Sequence, residues 1–196
     1  HPQKLCLTAQ KNRNHQSPMV FKQHITILLG LIVSLEPATA EERPLSFVRD
    51  IVPILTKADC NSGACHAKAG NGQRGFRLSL LGFETEDDYE HIVKEARGRR
   101  VFPAAPEQSL LVLKAANIVP HGGGEKLKPG SQNYEKLVRW IGEGLVYQNE
   151  EEGSLVSLEV EPARASMQVN TGKSIKVTAN YSDGSKEDVT EMALYE

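Results

Sequence analysis

The segment Cys60-Asn61-Ser62-Gly63-Ala64-Cys65-His66 is where residue types and spacing in this 196-residue chain could carry chemistry. Two thiols can add to the two vinyl groups of a haem, and a histidine directly after the second thiol then falls under the iron as its proximal ligand. The common spacing leaves two residues between the cysteines. Here there are four, and Gly63 and Ala64 are small enough for the enlarged loop to fold without pushing bulk into the ring. A Cys60–Cys65 disulfide with His66 as a bystander is the plainer alternative, although so small a loop gains little from closure. Zinc is a third, but two cysteines and one histidine leave the fourth ligand unnamed. Haem is the leading reading.

Other side chains fit around that reading. Arg97, Arg99 and Arg100 form a basic turn whose guanidinium forks suit haem propionates, or which is simply a solvated turn. Phe76, Leu78, Leu80, Leu81, Phe83 and Phe102 could wall the ring. No Ser-His-Asp order, P-loop or nucleotide-binding glycine fingerprint is present, so the chain offers no hydrolase or kinase argument.

The elements that must position these groups fall into two periods. Residues 46–147 read as mainly helical, beginning with Phe47, Ile51, Ile54 and Leu55 on one face of a helix that ends near Lys57. Thr85 offers an N-cap with Glu86, Asp87 and Asp88 in the first turn, and His91 lies among charged residues expected to face solvent. Ser131 can cap a last helix with Tyr134, Leu137, Val138, Ile141 and Leu145 on one face, whose Trp140 could cross the Cys-His motif. An acidic linker at 148–154 follows. After it the period becomes two, with Val156, Leu158 and Val160, then Ile175, Val177, Ala179 and Tyr181, and turns at Thr171-Gly172 and Asp183-Gly184. Residues 155–196 therefore read as the start of an all-β sandwich that stops short of the roughly 100 residues an immunoglobulin-type sandwich needs.

Composition bounds the rest. Hydrophobic residues at 39% and charged residues at 24% are ordinary for a globular chain, and a net charge of −2 argues against nucleic-acid binding. Residues 1–18 read as a non-native upstream segment and 19–40 as a signal peptide starting at Met19. The latter has an apolar run from Ile25 to Leu35 and an Ala38-Thr39-Ala40 cleavage site. That run is shorter than the roughly 20 apolar residues of a spanning helix, so no membrane span is expected after cleavage. Processing at Glu41 would leave 19 basic against 24 acidic residues, with Cys60 and Cys65 as the remaining cysteines. Export to the periplasm or cell envelope suits both the disulfide and the haem alternatives.

The run Gly75 to Phe83, with Arg97 to Pro103 and Pro120-His121-Gly122-Gly123-Gly124, resembles the planctomycete-type cytochrome c domain. The Val-x-Leu-x-Val-x-Pro opening at 156–162 and the Tyr181 to Ser185 turn resemble a bacterial Ig-like domain. Together the resemblances imply a mainly α cytochrome c-like haem domain over 46–147. It would be followed by a truncated all-β Ig-like sandwich segment, at the front of a larger exported protein. They imply one covalent haem c held by Cys60 and Cys65, His66 on the iron, and single-electron transfer to a redox partner protein or a downstream domain. Relatives often place Met-Pro shortly before the last helix, where this chain has Val119-Pro120-His121. Residues 41–147 contain no methionine. The sixth iron position therefore falls to His121, to an open site, or to His91. Met167 and Met192 would have to reach in from the sandwich segment. The competing function is a disulfide-stabilised structural or adhesive module of the cell envelope, without haem.

Overall fold

The computed structural model describes residues 43–63 and 65–195, and the expected signal peptide and upstream segment lie outside the described residues. Ser46 opens the fold. Its hydroxyl accepts the Arg49 N–H, and a π-helical turn, Phe47–Ile51, runs directly into α1, Val52–Lys57. Phe47, Ile51 and Ile54 are fully buried, as the spacing of the apolar positions predicts. Helix α2 spans Thr85–Val93, α3 Leu110–Ala115 and α4 Gln132–Gly142. Ser131 caps α4 by accepting the Tyr134 N–H, and Tyr134, Leu137, Val138, Trp140 and Ile141 are buried along it. Thr85 does not cap α2. It is the first helical residue, and its hydroxyl bonds the Tyr147 hydroxyl at 2.8 Å.

The strands lie near the predicted places: β1 at Leu155–Glu161, β2 at Lys176–Tyr181 and β3 at Lys186–Asp188. They form one antiparallel sheet in the order β1-β2-β3, with a bulge between Leu155 and Ser157. Asp183 and Gly184 turn β2 into β3, the Asp183 carboxylate accepting the Ser185 N–H while Gly184 takes a φ of 81°.

This architecture corrects the expected fold class of a mainly α domain followed by an all-β sandwich. Helix accounts for 33% and strand for 13%, and the helices are short pieces joined by long ordered turns. The sheet has no second sheet opposite it among the described residues. Val177 and Ala179 of β2, with Val189 and Met192 just after β3, join the same buried core as Phe47, Ile51, Leu137 and Trp140. The period-two pattern is a true strand signal, but the layer that covers the apolar face of β2 is helical, and β1 is exposed along its length. Trp140 lies within this core, between Phe47 and Tyr89, and its indole N–H donates to the Val146 carbonyl at 2.9 Å.

A charge network closes the seam between helices and sheet. The Asp50 carboxylate, fully buried, accepts both Nη atoms of Arg43 at 2.9 and 2.7 Å and the Ser46 N–H at 2.9 Å. Glu187 of β3 takes Arg43 and Lys136, each at 2.7 Å. The Arg49 guanidinium lies 3.4 Å from the centre of the Tyr181 ring. No described helix is long and apolar enough to cross a membrane.

Candidate functional site

Helix α1 ends in a sharp turn that delivers the motif. Asp59 takes a φ of 62°, and the Cys60 N–H donates to the Leu55 carbonyl at 2.9 Å. The loop is closed by the His66 N–H, which reaches back to the Cys60 carbonyl at 3.0 Å, so both thiols and the imidazole share one short loop. Asn61, almost fully buried, braces it from inside. Its side-chain amide donates to Thr56 Oγ1 at 2.9 Å while its backbone carbonyl accepts the Leu81 N–H at 3.3 Å. Beyond His66 the chain is pinned by a bridge between Ala67 and Leu78, with the Leu78 N–H on the His66 carbonyl at 2.7 Å.

Cys60 and Cys65 are both free thiols. Burial pushes the Cys60 thiol up to about 11, partly offset by Lys126 nearby. Lys126 forms an ion pair with Asp59 at 3.8 Å, which ties the end of the His121 loop to the start of the Cys-His loop.

His66 and His121, more than fifty positions apart in sequence, are brought together. Their ring centroids are 6.2 Å apart and their planes within 6° of parallel. The His66 Nδ1 faces the Phe76 carbonyl at 3.4 Å, and the His121 Nδ1 faces the Gly124 carbonyl at 3.0 Å. A carbonyl can only accept, so in each contact the Nδ1–H is the donor and Nε2 is the nitrogen left without a partner. That arrangement is the one metal-ligating histidines usually adopt, with a backbone carbonyl as outer partner. Burial holds the His66 imidazole below its ordinary value, against the hydrogen bond to the Phe76 carbonyl; His121 and Arg100 add to the lowering. Neutral His66 is favoured.

The His121 loop is shaped for its imidazole. Asn117, at a φ of 55°, accepts the His121 N–H through Oδ1 at 3.3 Å, and Lys114 Nζ donates to the Pro120 carbonyl at 2.5 Å. A Cβ at Gly123 would stand 3.0 Å from His121 Cε1, so glycine there gives the ring its room.

The remaining predicted residues divide. Phe76 packs on His66 with centroids 4.6 Å apart. Arg100 is buried and already engaged: its Nη1 donates to the His91 carbonyl at 2.6 Å, its Nη2 pairs with Glu95 at 3.0 Å, and its guanidinium lies over Phe76. Arg97 and Arg99 are exposed and form no ion pair among the described residues. Leu78 is core. Leu80, Leu81 and Phe83 line an opening of about 770 Å³ with Lys68, Ser79 and Glu84, which none of Cys60, Cys65, His66 or His121 touches. Phe102 is half exposed. His91 is half-buried rather than solvent-facing, its Nδ1 has no hydrogen-bond partner, and no described contact joins it to His66. The Met192 sulfur lies 4.0 Å from Lys136 Nζ at the seam, and Met167 is exposed. Asn61 and Asn117 are the residues that sequence reasoning missed. Asparagine's tolerance of positive φ was the available signal for Asn117.

The donor set is compatible with a haem c. Two imidazoles brought side by side on converging loops, with two thiols in the adjoining loop, are the ligand types that a haem c takes. Among the described residues, no three His, Cys, Asp or Glu side chains converge as a cluster for a bare metal ion. Comparison of the chain with protein-family models, with curated proteins and with solved structures finds no match.

Proposed function

We propose that the chain is an exported c-type cytochrome unit that binds one covalent haem and passes single electrons to and from a partner. The observation that carries the reading is the near-parallel His66–His121 pair with both Nδ1 protons held by backbone carbonyls, beside the free thiols of Cys60 and Cys65. When bound, the haem supplies a one-electron couple, and its axial ligands are one of the protein's main means of setting the potential.

The chain's own residues perform the rest. Cys60 and Cys65 would hold the group covalently, and His66 and His121 would be its iron ligands. Phe76 shields the His66 ring, while Asn117 and Gly123 keep the His121 imidazole in register. Arg97 and Arg99, exposed and unpaired among the described residues, are the guanidinium groups available to the propionates, since Arg100 is already engaged. Export to the periplasm or cell envelope belongs to the same reading, because thioether attachment and an N-terminal leader go together in it.

Expression in a host that matures c-type cytochromes tests the proposal. A pyridine haemochrome spectrum and haem staining on a denaturing gel should report one covalent haem, and Cys60→Ala or Cys65→Ala should leave at most one thioether. Wild-type protein from such a host without covalent haem would end this reading. A second imidazole gives a low-spin site without the thioether near-infrared band, at a potential below that of His/Met cytochromes.

A further inference from the structure

The segments that converge on the His66–His121 pair are strongly basic. Residues 66–83 and 96–124 carry seven lysines and arginines against one acid, Glu107, in a chain whose net charge is −2. Their convergence is physical. His66 and His121 stand ring to ring, and the Arg100 guanidinium of the second segment lies 4.6 Å over Phe76 of the first.

Several of these cations are already used. Lys68 pairs with Glu84 and Asp87, Arg100 with Glu95, and Lys114 caps the Pro120 carbonyl. With Arg97 and Arg99 given to the propionates, Arg74 and Arg77 remain, exposed and without an ion pair among the described residues. They flank Gly75 and Phe76 in a tight turn bridged between Gln73 and Phe76, and Phe76 itself packs on His66. Half-exposed apolar side chains, Phe102 and Ile118, stand on the second segment. Positive charge next to exposed apolar surface steers and seats a partner of opposite charge.

We infer that this face is the docking surface for an acidic one-electron carrier protein, with Arg74 and Arg77 as the charges that select it. The inference rests on the haem reading above. The carrier loses one electron and the site gains it, and no atom is transferred. A predominantly basic cluster beside the redox group would raise the encounter rate and orient the carrier's acidic side toward Phe76 and His66.

The test uses haem-loaded protein and, as probe, a reduced plant-type [2Fe–2S] ferredoxin, an acidic low-potential carrier. Stopped-flow reduction should slow by about tenfold or more between 20 mM and 300 mM salt, as steered association does. The Arg74→Glu/Arg77→Glu variant should lower the low-salt rate and the ferredoxin affinity in a binding assay by about tenfold each. Its absorption spectrum should stay unchanged. A salt-independent rate, or a charge-reversed variant with wild-type rate and affinity, overturns the docking surface while leaving the haem reading standing. Loss of binding to phosphatidylglycerol vesicles in that variant, with ferredoxin kinetics intact, would replace the protein partner with a membrane surface. Absence of covalent haem would remove both.

Discussion

The seam between helices and sheet and the face bearing the two histidines solve opposite problems. At the seam, charges are brought indoors and answered: Asp50 has Arg43 and the Ser46 N–H, and Glu187 has Arg43 and Lys136. At the histidine face, backbone carbonyls satisfy one nitrogen of each ring and leave the other open, and two thiols not joined in a disulfide lie in the adjoining loop. A closed network holds a fold together. An arrangement that satisfies half of each imidazole is the feature on which the haem proposal rests.

The contrast can be broken most sharply at Asp50. Asp50→Ala removes a fully buried carboxylate, orphans the Ser46 N–H and leaves Arg43 without its bidentate partner. It should cost about 3–5 kcal/mol, read as a lower urea midpoint. If the loss is under about 1 kcal/mol, the seam does not hold the sheet as described. His121→Ala should do the reverse: stability should move by no more than about 0.5 kcal/mol before any cofactor is attached. In haem-loaded protein it should turn the site high-spin and open it to cyanide or carbon monoxide. A low-spin His121→Ala spectrum would point to another sixth ligand.

Acid sharpens the comparison further. Burial pushes the Glu187 carboxyl up, but hydrogen bonds from Lys136 and Arg43 outweigh it and hold the group below its ordinary value. Its contribution is therefore complete above the ordinary carboxylate value and is lost as pH falls through the lowered folded one. His66, also lowered, acts in a higher window: stability should begin to fall once pH drops below the ordinary imidazole value, where the unfolded chain takes up the proton first. Urea midpoints across pH 3–8 should show two descents, the lower one reduced in Glu187→Gln and the upper one absent in His66→Ala. The smallest effect lies within the motif. Iodoacetamide at neutral pH should alkylate Cys65 ahead of Cys60, whose thiol is pushed up to about 11, with mass mapping of the peptides as the measure.

What the sequence made legible follows from local signals. The apolar spacing of Phe47, Ile51 and Ile54, the Ser131 cap and the Asp183-Gly184 turn each depend on neighbours within a few residues, and each is found. The sandwich was not legible correctly, because alternation along β1 and β2 marks strands without saying what covers them: helices bury one face of β2, and β1 is exposed along its length. The candidate site was legible as a set of residue types, Cys60, Cys65, His66 and His121, but the approach of His66 to His121 was not. The carbonyl that faces the His66 Nδ1 comes from ten residues downstream, and the loop that presents His121 turns on an asparagine at positive φ. Arg100 shows the same limit. As a sequence feature it was equivalent to Arg97 and Arg99, and only its burial separates it from them.

Strand β1 hydrogen-bonds to β2 on one side only, and all seven of its residues are exposed. Its far half carries Glu159 and Glu161 and runs into Pro162, whereas Leu155 to Leu158 is uncharged and largely apolar. In concentrated solution that near half is an open template for strands of other copies, and charge is what keeps such edges apart. The colloidal behaviour of the isolated chain should thus be set by four residues remote from its chemistry. A single lysine at Val156 should extend the time for which the protein stays clear at high concentration.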